Sequence, residues 1–125
     1  MLQLIFIAIG GALGALARYG TALVTHGWFG VSWPLGTLLV NTAGSLGIGV
    51  VFVLLERSAI HPDWRSIVMV GFLGAFTTFS TYALDSVELY LQGMVTQAVL
   101  YALGSVVLCL GAAAAGIFIT RGLLA

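Results

Sequence analysis

The chain has 125 residues, of which 61% are hydrophobic and 6% charged, and its formal net charge is zero. Soluble domains carry roughly 25% charged residues, so this composition excludes a water-soluble globular fold and marks an integral membrane protein. Its surroundings are the lipid bilayer, and no nucleic-acid partner is expected of a chain so poor in basic residues.

The charges are Arg18, Glu56, Arg57, Asp63, Arg65, Asp85, Glu88 and Arg121, with no lysine. The apolar runs between them measure the spans, and four reach the roughly 20 residues needed to cross the hydrocarbon core. They predict an all-α membrane protein whose single four-helix domain covers 1–125, with helices at about 2–19, 34–55, 66–92 and 95–121. The first run ends in Ala15-Leu16-Ala17, which imitates a signal-peptide cleavage site. No Lys or Arg precedes it and Arg18 follows it, so it is expected to be a mature helix. The connector "THGWFGVSWPLG" leads to Pro34, which suits the first turn of the second helix because its missing N–H has no partner to lose there. Trp28, Trp33 and Trp64 fall in connectors, where an interfacial aromatic belt would place them. Four spans put both termini and the connector "ERSAIHPDWR" on one side, giving it Arg57, Arg65 and Arg121 against Arg18; the positive-inside rule favours cytoplasmic termini by that narrow margin.

Within the second helix, Asn41 lies seven residues past Pro34, roughly 10 Å along the axis at 1.5 Å per residue. An amide at that depth needs a hydrogen bond, and it serves either as interhelical glue or as a donor lining a pore. Small residues at four-residue spacing, such as Gly10 with Gly14 and Ala112 with Gly116, predict close helix contacts and oligomerisation.

The third span contains "GAFTTFSTYALD". Gly71 and Gly74 weaken a helix, and Thr77, Thr78 and Thr81 add hydroxyls that compete for backbone groups, which predicts a break between Gly74 and Thr78. Broken helices at membrane depth occur where the freed backbone is buried in protein or binds an ion. Phe76, Phe79 and Tyr82 recur every three residues, either as a packing stripe or as rings whose positive edges face an anion. The turn "QGM" follows, and the fourth span carries a lone Cys109, assigned to packing.

Taken together, "GGALGALARYG", "WPLGTLLVNTAGSLGIG", "GFLGAFTTFSTYALD" and "YALGS" resemble, in order and spacing over the whole chain, the small bacterial fluoride channels called Fluc or CrcB. The resemblance implies passive export of cytoplasmic fluoride by an antiparallel, dual-topology homodimer with two pores in the cell membrane. It implies that Asn41 is the pore asparagine, Phe79 and Tyr82 the paired rings, and Thr37 the threonine one turn earlier. Tyr101 and Ser105 match a polar track on the fourth helix, and Ser80 and Thr81 belong with the pore hydroxyls. Arg18 matches a vestibule arginine, while Gly74 and Thr77 would offer carbonyls to a central structural Na⁺. Tyr82 stands where phenylalanine is usual, Asp85 where glutamate is common, and Cys109 where a small polar residue sometimes follows Ser105.

Other classes fit less well. A small proton-coupled multidrug exporter needs an acid buried in the first helix, and none precedes Glu56. A structural subunit of a membrane complex gives no reason for the threonine cluster. An enzyme is not expected: His26 and His61 lie in connectors, and no nucleophile–base arrangement or metal-ligand spacing is visible.

Overall fold

Long apolar runs in lipid must satisfy their backbone internally, which leaves the helix as their form. A computed structural model describes residues 1–29 and 33–125, except for the side chains of residues 28 and 29. It contains α1 (Leu2–Phe29), α2 (Leu35–Glu56), a π-helical stretch (Arg65–Leu73) that runs into α3 (Gly74–Phe76), then α4 (Phe79–Leu91) and α5 (Val95–Leu123). Four helical spans, the third made of the π-helical stretch with α3 and α4, are long and apolar enough to cross a membrane.

The third span is interrupted in its middle, as the glycines and threonines predict. The first helix runs ten residues further than expected. No proline stops it before Pro34, and the hydroxyls of Thr21 and Thr25 fold back onto the carbonyls of Ala17 and Thr21 at 2.9 Å each. Arg18 therefore sits mid-helix instead of at a helix end. Residues 30–32 of the expected connector and the side chain of Trp28 lie outside the described residues, while Trp33 and Trp64 are exposed at the span ends. Gly93 closes α4 with a left-handed φ of +82°, and Met94 N–H reaches back to Leu89 O at 3.0 Å. Only glycine adopts that backbone cheaply.

The helices pack as α2 against α5 and α1 against the π-helical stretch and α3, with α4 laid on α5. Glycines set these contacts. A Cβ added to Gly49 would lie 2.4 Å from Ala113 O, and one added to Gly116 would lie 2.4 Å from Leu46 O, so the α2 and α5 backbones meet at reciprocal glycines. On α1, Gly10 and Gly14 meet the carbonyls of Ile67 and Phe72 in the same way, each at 2.1 Å from an added Cβ. Close backbone approach gains dispersion contact, the main attraction between helices when lipid is as apolar as leucine. At one membrane edge Arg121 clasps Glu56 through both guanidinium and carboxylate, at 2.9 to 3.2 Å. Large buried apolar side chains are few, among them Val40, Val53, Leu73, Leu89 and Tyr101, and the outer faces remain apolar as lipid contact requires.

Gly49→Ala and Gly116→Ala should each destabilise the protein by ~1–3 kcal/mol, since backbone on both sides must move. Gly111→Ala, whose added carbon meets nothing within 4 Å, should be neutral or stabilising by up to ~1 kcal/mol. Thermal unfolding of the three detergent-purified variants checks the contrast, and equal losses at all three would remove glycine contact as the organising feature.

Candidate functional site

A break in a membrane helix exposes backbone groups that hydrocarbon cannot solvate, each at a cost of several kcal/mol. Here the break is two extended residues, Thr77 (φ −85°, ψ 155°) and Thr78 (φ −151°, ψ 119°). Asn41 answers it from α2. Its Oδ1 accepts the Thr78 N–H at 2.7 Å, and its Nδ2 donates to the Thr78 carbonyl at 3.0 Å. The amide orientation follows from the backbone, since an N–H can only donate and must face the oxygen. One side chain thus replaces a neighbouring peptide group.

The ends on either side are also covered. Arg18 donates Nε–H to the Ala75 carbonyl at 3.1 Å, placing a cation where the helical first half of the span ends and its dipole is negative. Thr78 Oγ1 accepts the Thr81 N–H at 3.1 Å as the N-cap of α4, the role its residue type favours. Thr77 Oγ1 folds back onto Leu73 O at 2.9 Å. Gly44 clears the space, because a Cβ there would lie 2.2 Å from Thr77 Cγ2.

The break divides the expected residues between two cavities. One, of about 310 Å³, is lined by Asn41, Gly74, Thr77, Phe79, Tyr82 and Ser105, with Thr78, Ser45 and Cys109 beside them. The other, of about 230 Å³, is lined by Arg18, Thr37 and Thr81, again with Thr78. Thr78 lines both, so the extended pair stands between them. Ser80 and Tyr101 line neither. Ser80 is exposed with its hydroxyl 3.3 Å from that of Thr78, and Tyr101 is buried beneath Tyr82 and donates to Asp85 Oδ2 at 3.2 Å.

The rings part company at the break. Phe76 stacks on Phe72 with centroids 5.5 Å apart, whereas Phe79 and Tyr82 pair at 5.4 Å and a 54° tilt along the larger cavity. Phe79 is 78% exposed. The Tyr82 hydroxyl donates to Ala102 O at 2.6 Å, which ties α4 to α5 and leaves the ring as the cavity wall. Ser105, 4% exposed, has a hydroxyl with no partner among the described residues. Ser105 lines a space walled by an amide and two rings, an arrangement suited to a small anion, while its own oxygen is closed off from solvent.

The structural Na⁺ expected on the Gly74 and Thr77 carbonyls is corrected. Among the described residues, no group of three or more His, Cys, Asp or Glu side chains could hold a metal ion. Two neutral carbonyls without anionic support fall short of the oxygen shell a hard cation takes. Gly74 is also helical (φ −60°, ψ −36°) and Thr77 extended, so their peptide planes turn differently. Thr78, Ser45 and Asp85 were not among the expected site residues. Thr78 carried an N-cap signal, and Ser45 shares a helix face with Asn41 four residues away.

A family model described as CrcB-like protein, Camphor Resistance (CrcB), matches residues 5–117. The chain is 45% identical over 120 residues to a fluoride-specific ion channel of Hahella chejuensis, covering 95% of this chain and 94% of that protein. It is 46% identical over 120 residues to one of Paracoccus denitrificans, with the same coverage. A fluoride-specific ion channel of Methylococcus capsulatus is 45% identical over 123 residues, 98% of this chain but 54% of that protein's length.

Replacing Asn41 by Ala strands both polar groups of Thr78, so Asn41→Ala should lower stability by ~2–6 kcal/mol, at about 1–3 for each of the two groups. Ser45→Ala removes only a bond back to its own helix, at 2.6 Å on Asn41 O, and should cost at most ~1 kcal/mol. Thermal unfolding of both variants tests the ordering, and the reverse order would detach the break from Asn41.

Proposed function

The chain belongs to the CrcB-like family, and from that premise we propose that it is a fluoride channel which lets the ion leave the cytoplasm passively and so lowers its toxicity. It is a multi-pass protein of the cell membrane, and a channel, not an enzyme. The observation that carries this reading is the interrupted third span, where a side-chain amide, two rings and an unpartnered hydroxyl meet in one cavity without a trapping cation.

Fluoride holds its water tightly, so a pore must offer donors in place of that water yet bind weakly enough to release the ion. Neutral donors in series meet both demands. Asn41 spends one Nδ2 hydrogen on Thr78 and keeps the second for the ion. The edges of Phe79 and Tyr82 carry partial positive charge along the same wall, and the unpartnered Ser105 hydroxyl lies just behind it. Thr37 and Thr81 continue the polar lining into the smaller cavity, where Arg18 serves as the vestibule cation. Ser80 is a hydroxyl flanking this path, and Tyr101 acts from behind it by supporting the Tyr82 ring.

A second copy of the chain, inserted antiparallel, completes the wall. Phe79 is 78% exposed in one chain, and a ring that lines an ion path needs protein on its other side. A twofold axis then generates two equivalent pores. The narrow arginine bias between the two sides of the membrane supports insertion in both directions.

The test is efflux from liposomes holding only the purified protein, read by a fluoride electrode and repeated with chloride. Fluoride flux far above chloride flux is expected, and equal fluxes would overturn the reading. In the same assay Phe79→Leu should reduce fluoride flux roughly tenfold, the factor that ~1.4 kcal/mol represents, because an aliphatic group has no quadrupole. Tyr82→Phe keeps the ring and should conduct nearly as the parent does, while Tyr82→Leu should resemble Phe79→Leu. A dead Tyr82→Phe beside an active Tyr82→Leu would assign this position to its hydroxyl.

A further inference from the structure

A third cavity, of about 560 Å³, lies away from the pore residues in the loop between α2 and the π-helical stretch. Its wall combines the apolar Leu55, Ile60 and Pro62 with the polar Ser58, His61 and Arg65. Pockets of this size hold small-molecule groups, and a mixed wall suits an amphipathic one. The loop also sits at a defined depth: α2 ends at Glu56, the third span begins at Arg65, and the exposed Trp64 marks the level of the headgroups.

The charges here do not cancel. Glu56 is taken up by Arg121 through paired bonds, and the Asp63 carboxylate stands 3.3 Å from His61 Nδ1. Among the described residues, Arg57 and Arg65 have no acidic partner within ion-pair distance. His61 Nδ1 already accepts the Asp63 N–H at 3.2 Å and has no hydrogen for that carboxylate, but three arginines against two acidic side chains still leave an excess of positive charge, and of the two guanidiniums outside the Glu56 pair one lines the cavity. A guanidinium matches phosphate through two parallel hydrogen bonds. A zwitterionic lipid brings its own ammonium to that phosphate; an anionic one does not.

We propose that this loop cavity binds the headgroup of an anionic phospholipid, with Arg65 on the phosphate, Ser58 on the polar headgroup and the lipid's first carbons against Leu55, Ile60 and Pro62. Binding there anchors the α2 end of the loop to the membrane surface and is independent of ion conduction. Its readout is bound lipid, so it stands or falls apart from the fluoride assay.

The experiment is native mass spectrometry of the purified full chain in neutral detergent, titrated separately with dioctanoyl phosphatidylglycerol, dioctanoyl phosphatidylcholine and inorganic phosphate. Phosphatidylglycerol should bind in preference to both others. Arg65→Gln should weaken it about tenfold, the loss of one charge-assisted contact, whereas Arg57→Gln, outside the cavity wall, should leave it within about twofold, as a surface charge contributes. Ile60→Asp puts a carboxylate in the cavity without touching Arg65, should also abolish the preference, and decides the matter if Arg65→Gln does not fold. Equal binding of phosphatidylcholine, equal binding of free phosphate, equal losses at Arg57 and Arg65, or full binding by Ile60→Asp would each overturn the assignment.

Discussion

A side-chain amide standing in for a peptide bond holds this protein's centre. Helices cross lipid because they satisfy their own backbone, and the third span gives that up at Thr77 and Thr78. The stranded N–H and C=O of Thr78 both find Asn41, at 2.7 and 3.0 Å. Loss of either bond would leave a polar group facing hydrocarbon, so the two together fix where the break lies and how α2 faces it. Since α2 is itself seated on α5 through Gly49 and Gly116, the broken segment is registered against a rigid pair of helices.

The break does more than interrupt. Two extended residues redirect the chain, so that Phe76 joins Phe72 on one side while Phe79 and Tyr82 turn to the cavity beside Asn41. A continuous helix would have kept rings spaced by three on one face. The wide π-helical stretch leading into the break belongs to the same departure from regular structure, which such segments often show near functional sites. α1 reaches it through Gly10, Gly14 and the opposed Gly71, whose added Cβ would lie 2.9 Å from Ile7 O.

Two of the charges within the spans are held by neutral groups. Arg18 rests on the Ala75 carbonyl and Asp85 receives the Tyr101 hydroxyl, and neither forms an ion pair among the described residues. A buried counter-ion would bind such a charge tightly and hold it in one arrangement.

The sequence by itself determined the class, the four spans, the interrupted third helix and the family. Apolar length, glycine and threonine are local signals, and lipid permits few responses to them. It also placed Gly93 at a turn and singled out Asn41 as a mid-span amide. Tertiary structure alone decided what Asn41 bonds, because its partner lies 37 residues away on a separate helix. The same holds for Arg18, which looked like the end of a helix until α1 continued past it and brought its guanidinium to Ala75, 57 residues on. It holds also for the division of the hydroxyls between two cavities, and for Tyr101, whose burial removes it from both. Periodicity reports which face of one helix a residue occupies. It carries no information on which other helix that face meets, because backbone contact depends on paired glycines such as Gly49 and Gly116, whose spacing within either helix does not name the other.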